Sequence, residues 1–225
     1  MTDLVQALIG SFPYLLGGIW VTLGLVLSSL LLGFLIGVPM ALAQVYGKRL
    51  LSAIVATYVW IFRGLPNLVL LFLFYFGLFP LAGLDVDPFF VGIVVLGLRS
   101  GAYQSQIFRG AIQSIGDGQM LAARSLGMSR VQAITSVILP QAFRIALPGW
   151  SNEYPILLTD SAVCYAIGIM EILTRANNIV TQTYQPMPVF LICAGIYILL
   201  NYGGLKIFHF VEKRYRIPGF GTGGV

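Results

Sequence analysis

Long runs of apolar residues alternate with short polar stretches along almost the whole chain. Runs of about 20 apolar residues match the helix length that crosses the hydrocarbon core of a bilayer. Strands of a membrane barrel would instead alternate polar and apolar residues over about 10 positions, and no such alternation is seen. The pattern therefore predicts an all-α membrane protein whose five transmembrane helices lie at about 15–43, 65–79, 88–108, 145–169 and 189–210, with an apolar helical extension at 51–62 before the second.

The fourth predicted span differs from the others because it contains helix-breaking residues. Pro148, Gly149 and Pro155 lie within it or beside it. Pro155 has no backbone N–H to donate, so it is predicted to open the helix between Glu153 and Asp160. Broken helices at membrane depth are tolerated where they line a water-filled cavity, which makes this span a candidate binding region.

The composition fits a chain that lies mostly in lipid. Of its 225 residues, 58% are hydrophobic and 9% are charged, against about 25% charged in a soluble domain. This length predicts one domain over 1–225, with a Gly-rich, flexible tail at 219–225. The first apolar run is too long for a cleaved signal peptide, and no basic segment precedes it. Cys164 and Cys193 fall in or beside apolar spans, so they are interpreted as packing residues rather than as a disulfide.

Charged residues indicate the orientation, because short cytoplasmic loops of membrane proteins carry an excess of Lys and Arg. The segments after spans one, three and five hold most of the cations, whereas the opposite side is acidic apart from Arg175. The N-terminus is therefore predicted outside and the C-terminus inside. The net charge of +5 is interpreted as a topology signal and not as nucleic-acid binding. The cations that decide this are Lys48, Arg49, Arg109, Arg124, Arg130, Arg144, Lys213, Arg214 and Arg216, and the acids opposite them are Asp3, Asp85, Asp87 and Glu171.

The first span carries a stripe of small residues, Ser29, Gly33, Gly37 and Ala41, at intervals of four. Small residues on one helical face let two helix backbones approach closely in a membrane. The stripe predicts close packing against another helix of the same chain, and the alternative is that it supports an interface between subunits.

The segment at about 110–140 is polar, basic and rich in small residues, although apolar spans flank it on both sides. A helix lying on the membrane surface would carry bulky apolar residues on one face, whereas this segment has Ala122, Ala123 and Ser125. Gly127 permits a tight turn between two short helices. We interpret the segment as a cytoplasmic helix–turn–helix that inserts into a groove on a soluble partner, with an ordinary interfacial loop as the alternative.

The run RSLGMSRVQAITSVILPQAFRIALPG at 124–149 resembles the EAA loop of ABC importer permeases, and more narrowly that of the polar amino acid family, whose subunits have five helices. The resemblance covers nearly the whole chain. Its shorter motifs are TLG at 22–24, FRGLP at 62–66, YFG at 75–77, GAY at 101–103, RGAIQSI at 109–115, GQ at 118–119, LP at 147–148, NE at 152–153 and Asp160.

This resemblance implies a transport subunit that is not itself an enzyme. Two permease subunits, identical or different, would pair in the cytoplasmic (inner) membrane of a prokaryote. Two ATP-binding subunits would receive the coupling helices, and an extracytoplasmic solute-binding protein would deliver the substrate. ATP and Mg²⁺ would belong to the ATPase subunits, so this chain would bind no cofactor or metal. The chain accordingly has no G-x-x-x-x-G-K-[ST] phosphate loop.

The resemblance also assigns the residues that contact the ATPase, and two positions depart from the family pattern. Leu121 stands where the family usually has the Glu of the EAA motif, and Gln106 stands where an acidic residue is usual. A specialised ATPase, or a second permease subunit that supplies the Glu, would accommodate Leu121. The assigned coupling residues are Gln119, Leu121, Ala122, Ala123 and Gly127.

Charged residues inside the predicted spans are the candidates for substrate binding, because each is costly in lipid without a partner or a polar cavity. Arg99 is predicted to take the α-carboxylate of an amino acid, while Glu153 and Asp160 take the amino group or a cationic side chain. Tyr103 and Asn152 complete the predicted site. The two carboxylates give a weak preference for basic amino acids.

Other interpretations of these charges stay open on sequence alone. Arg99, Glu153 and Asp160 would equally form a salt-bridge network that joins spans three and four. An ion-coupled secondary transporter would use one of the two carboxylates as a proton carrier. A non-transporting membrane scaffold would use them only structurally.

Overall fold

The structure is a computed structural model that describes the backbone of residues 2–215 and the side chains of residues 10–215. The predicted flexible tail at 219–225 lies outside the described residues. Two π-helical turns, Leu73–Leu78 and Ile134–Ile138, and one 3₁₀ helix, Ala162–Ile167, join neighbouring α-helices. The α-helices are α1 (Thr2–Tyr46), α2 (Arg49–Gly64), α3 (Asn67–Phe72), α4 (Phe79–Leu81), α5 (Pro88–Ser114), α6 (Asp117–Ser125), α7 (Arg130–Ala133), α8 (Leu139–Ser151), α9 (Glu153–Ser161), α10 (Ile172–Thr183) and α11 (Pro186–Tyr215).

The largest apolar core forms where α1, α3, α5 and α9 meet. Most of its members are branched aliphatic side chains that face inward from these helices, together with Tyr154 and Cys164, and aromatic rings from α2 and α11 pack against its edge. The fully buried aliphatic residues of this core include Leu25, Val26, Leu70, Leu71, Val91, Val95, Leu96 and Leu158.

The small-residue stripe of α1 packs against α5 of the same chain. Ser29, Gly33, Gly37 and Ala41 are all buried, and the hydroxyl of Ser29 donates a hydrogen bond to the Ile93 carbonyl at 3.4 Å. The prediction of close packing within the subunit is therefore confirmed. The alternative of a subunit interface is wrong for this stripe, because α5 already covers it.

We expect Gly37→Val to destabilise the chain by about 1–3 kcal/mol, the usual cost of overpacking a tight interface. A Cβ atom at Gly37 would lie 3.0 Å from the backbone nitrogen of Ser105 and 3.1 Å from the carbonyl oxygen of Gly101, and neither atom can move independently of α5. Thermal unfolding of the detergent-solubilised protein measures the effect. Gly203→Val is the control, since a Cβ there meets no atom within 4 Å; equal loss in both variants would contradict the packing argument.

Only part of the predicted set of spans meets a simple length and apolarity criterion. Among the described residues, two single helices meet this criterion, Gly10–Tyr46 and Pro186–Tyr215. Two further pairs of helices meet it only if each bent pair is counted as one span, which gives up to four spans. One bent pair joins α2 to the helix Asn67–Leu81 at an angle of 107°. The bend follows from Pro66, because the residue before a proline is driven to extended backbone and Leu65 has ψ 140°.

The predicted third span corresponds to α5, which has the length of a membrane helix at 27 residues. It is not among the helices that meet the apolarity criterion. The polar side chains of Arg99, Gln104 and Gln106 explain this, since they lie in its middle and C-terminal half.

The fourth predicted span is broken, as the sequence indicates, but the interruption between α8 and α9 lies at Asn152. α9 runs through Pro155 without interruption, so the predicted opening between Glu153 and Asp160 is wrong. Pro155 stands in the first turn of α9, where a backbone N–H has no partner within the helix and its loss costs little. A bend of 51° follows the 3₁₀ helix near Gly168, whose φ of +83° ends that helix.

Cys164 and Cys193 are both buried and unpaired with each other, which confirms their prediction as packing residues. Cys164 belongs to the core around α9, and Cys193 lies in a second apolar cluster of α1, α10 and α11.

Candidate functional site

A charged pair joins the middle of α5 to the end of α9. The guanidinium of Arg99 is hydrogen-bonded and ion-paired to the carboxylate of Asp160. Their side chains are 18% and 20% exposed, and they form the one ion pair among residues 10–215. The amide of Asn67 donates to the carbonyl oxygen of Asp160 at 3.4 Å, which adds α3 to the same centre.

Glu153 lies at the start of α9, and its hydrogen-bond partner Ser100 is the residue after Arg99 in the chain. Glu153 is 3% exposed, and its carboxylate accepts a hydrogen bond from the hydroxyl of Ser100 at 2.8 Å. Gln104 donates from Nε2 to Ser100 Oγ at 2.9 Å and accepts from the indole N–H of Trp150 at 2.8 Å. This chain of hydrogen bonds ties the carboxylate to α5 and α8.

Sequence reasoning missed Ser100 and Gln104 as members of this polar cluster. Their positions carried a usable signal, because they lie four residues apart on one face of α5 and Ser100 directly follows Arg99. Buried hydroxyl and amide groups need partners, and a carboxylate on a neighbouring helix is one of the partners available.

Tyr103 lies beside the ion pair and contacts two cations. The guanidinium carbon of Arg99 is 5.3 Å from the centroid of its ring, and that of Arg63 is 4.8 Å from it. The structure thus brings four of the five predicted substrate residues into one region. Asn152, the fifth, is exposed between α8 and α9, and its side chain has no hydrogen bond to the others within residues 10–215.

The polar segment between α5 and α8 forms the predicted helix–turn–helix. Gly127 has φ +82°, and its N–H donates to the carbonyl of Arg124 at 3.0 Å. A glycine supplies this left-handed backbone without a steric cost. α7 then begins with a capping box in which Ser129 and Gln132 exchange side-chain and backbone hydrogen bonds.

The outer surface of this helix–turn–helix is apolar in part and open to solvent. Ala123 is buried and anchors α6 to the rest of the segment. Gln119 and Ala122 are exposed, while the side chains of Leu121 and Leu126 are 69% and 84% exposed. Large apolar side chains at this exposure indicate a surface for a protein partner.

No metal site is found in the part of the chain that the structure describes, since it has no cluster of three or more His, Cys, Asp or Glu residues. The polar cluster around Arg99 offers ion pairing and hydrogen bonding, and the exposed face of α6 offers a surface for contact.

Residues 29–217 match the family model described as "Binding-protein-dependent transport system inner membrane component". The chain is 37% identical over 207 residues to the nopaline transport system permease protein NocM of Agrobacterium fabrum, covering 88% of this chain and 86% of that one. It is 33% identical over 228 residues to the histidine/lysine/arginine/ornithine transport system permease protein HisM of Salmonella typhimurium, covering 96% and 97%.

Solved structures give the same result for the fold. A crystal structure of an amino acid ABC transporter with histidines aligns with a TM-score of 0.83 at 32% identity, covering 93% of this chain and 97% of that chain. An inward-facing MetNI methionine ABC transporter aligns with a TM-score of 0.74 at 22% identity, over 90% and 96%, which shows likeness of fold alone.

Proposed function

The chain belongs to the inner membrane components of binding-protein-dependent transport systems, and on that premise we propose that it is the permease subunit of an ATP-driven importer of polar amino acids. The observation that carries the proposal is the exposed α6–α7 segment, which projects a docking surface from a chain that is otherwise apolar. Such a surface suits a permease whose ATP hydrolysis occurs on a separate subunit.

The substrate class is proposed from the relatives and from the charges at the site. The relatives' names refer to nopaline and to histidine, lysine, arginine and ornithine. In this chain, Glu153 and Asp160 are seven residues apart on α9 and so lie on one face of the helix, two turns apart, and we expect them to favour a cationic amino acid. The preference for basic substrates is weak, and Arg99 is assigned to hold Asp160 in place.

We propose five membrane spans with the N-terminus outside and the C-terminus inside. In this arrangement α5 is the third span, because α1 and α9 shield its polar side chains from lipid. The cations at 109, 124, 130 and 144 then lie on the cytoplasmic side together with α6 and α7. The protein would be a single transmembrane domain in the inner membrane of a prokaryote.

The proposed assembly contains two permease subunits and two ATP-binding subunits, with a solute-binding protein outside. α6 would enter a groove on the ATPase, through Gln119, Leu121 and Ala122 on its exposed face. Ala123 and Gly127 would maintain the shape of the segment. ATP and Mg²⁺ would bind to the ATPase, and no cofactor to this chain.

The test is to co-purify the chain with its candidate ATPase, reconstitute the complex in liposomes, and measure ATP hydrolysis across a panel of amino acids with and without the binding protein. We expect stimulation by arginine, lysine or histidine, and uptake that persists when the ion gradients are dissipated. Stimulation only by neutral or acidic amino acids would remove the basic preference and keep the importer. Absence of a complex and of hydrolysis, or uptake that depends on an ion gradient alone, would contradict the proposal.

A further inference from the structure

An open groove of about 470 Å³ lies between α2 and α5, beside the cytoplasmic end of α1 in the proposed orientation. This volume is within the range of small-molecule sites, which run from about 300 to 1,000 Å³. Its polar wall is built from both helices and from the end of α1, with an indole at its rim. The residues concerned are Gln44, Trp60, Arg63, Tyr103, Gln106 and Arg109.

Arg63 is the unusual member of this groove, because its guanidinium makes neither a hydrogen bond nor an ion pair with another residue at 10–215. Within residues 10–215 it forms no ion pair, and its contact is with the face of the Tyr103 ring. Arg99 is paired with Asp160, whereas Arg109 donates to the neutral amide oxygen of Gln106 at 3.4 Å and, like Arg63, forms no ion pair among residues 10–215. Arg63 therefore keeps its donors available for an anion.

Tyr103 fixes the position of this free cation relative to the carboxylates. Its ring contacts the guanidinium of Arg63 and also that of Arg99, which is paired with Asp160. A cation held on an aromatic ring loses less freedom on binding a ligand than a mobile side chain does. The region thus presents an unpaired guanidinium near one arginine–carboxylate pair, with Tyr103 between them.

We propose that Arg63 binds the α-carboxylate of the substrate in the groove, while the cationic side chain of the substrate is directed toward Asp160 and Glu153. This assignment rests on the proposed function and refines it, because it moves the carboxylate contact from Arg99 to Arg63. A guanidinium can bind a carboxylate through two parallel hydrogen bonds, which a lysine cannot reproduce. A basic L-amino acid carries both of the charges that this arrangement requires.

The experiment compares L-arginine with L-argininamide, which keeps the side chain and the α-amino group but lacks the carboxylate charge. Binding to the purified permease–ATPase complex is measured by calorimetry. The binding protein is omitted because it would discriminate between the two compounds itself. We expect the complex to bind L-arginine at least about tenfold more tightly than L-argininamide, as for one charge-assisted contact.

Arg63→Gln should weaken the binding of L-arginine until its affinity equals that of L-argininamide. The affinity of the variant for L-argininamide should stay almost unchanged. Arg63→Lys should keep part of the difference, because it retains the charge without the planar fork. Arg144→Gln is the matched control: it removes one exposed arginine of α8 and should preserve the full preference for L-arginine.

Three results would overturn the assignment: equal binding of both compounds by the wild-type complex, an undiminished preference for L-arginine in Arg63→Gln, or an undiminished preference in Arg63→Lys if the glutamine variant does not assemble. A failed assignment leaves arginine-stimulated ATP hydrolysis by the wild-type complex intact. Failure of the proposed function would instead remove that stimulation, so the two failures are distinguishable.

Discussion

Exchanging the two charges in an Arg99→Asp/Asp160→Arg double variant should yield a chain that folds and assembles but no longer imports basic amino acids. Either single substitution breaks the mostly buried pair and places two like charges opposite each other, which should cost at least about 3–5 kcal/mol, the usual cost of removing one partner. The exchange restores the pair between α5 and α9 and should recover most of that stability. It also replaces the carboxylate at 160 with a cation that repels a cationic substrate, so uptake should fall by at least about tenfold.

Two measurements separate the structural role of this pair from its role in transport. Thermal unfolding in detergent shows whether the double variant is more stable than Arg99→Asp and Asp160→Arg alone. Uptake in proteoliposomes shows whether transport returns with stability. Recovery of both would mean that the pair only joins two helices, which is the structural interpretation left open by the sequence.

Placing a bulky side chain on α6 should uncouple the permease from its ATPase without unfolding it. Ala122 is exposed on the proposed docking face, so Ala122→Trp should leave thermal stability unchanged. The indole would prevent α6 from entering a narrow groove, and we expect loss of nearly all ATPase co-purification and of uptake. Gln182→Trp, an exposed position on α10, is the control and should retain the ATPase.

The chemistry of this contact can be tested with the same variants. Leu121 and Leu126 give the docking face an apolar character, and apolar contacts are not screened by salt, whereas exposed charge pairs are. Co-purification of the ATPase should therefore survive high ionic strength. Retention of the ATPase by Ala122→Trp would place the docking surface elsewhere on the chain.

The sequence predicted those features whose signal lies in consecutive residues. The glycine turn at Gly127 and the short helices around it follow from local backbone chemistry, and the structure confirms them. The packing of Gly33 and Gly37 follows from spacing along one helix. These features needed no knowledge of what the rest of the chain does.

Features that depend on which helices meet could not be predicted in the same way. The sequence placed Glu171 among the acids of the predicted outer side and gave no sign that its side chain is fully buried. Its carboxylate accepts from the backbone N–H groups of Leu173 and Thr174 and so begins α10, and Tyr197 of α11 donates to it at 2.8 Å. The cap involves neighbouring residues, but the sequence analysis did not identify it. The hydrogen bond from Tyr197 joins residues that are 26 positions apart, so it depends on how α11 packs against α10.

The difference between local signals and contacts between distant helices also explains which features of the polar cluster around Arg99 could be predicted. Charged residues in apolar spans identified Arg99, Glu153 and Asp160 as candidates, and the structure places them close together. A salt-bridge network of these three residues was one interpretation left open by the sequence, and the structure shows the pair of Arg99 with Asp160. Which carboxylate pairs with Arg99 was not predicted, because it depends on how α9 is rotated against α5. The course of α9 was also not predicted, because a proline in a first turn looks the same in sequence as one that breaks a helix.

The pairing of α1 with α5 also bears on how the nascent chain enters the membrane. α1 is apolar enough to insert by itself, whereas α5 does not meet that criterion. Released alone into lipid, α5 would expose the amide of Gln104 to hydrocarbon, where no water can satisfy it. With α1 already in place, this amide donates to the carbonyl of Leu30 at 3.1 Å. Because α1 is synthesised first, the ribosome delivers the acceptor before the donor, and α5 can leave the insertion machinery with its polar face already covered.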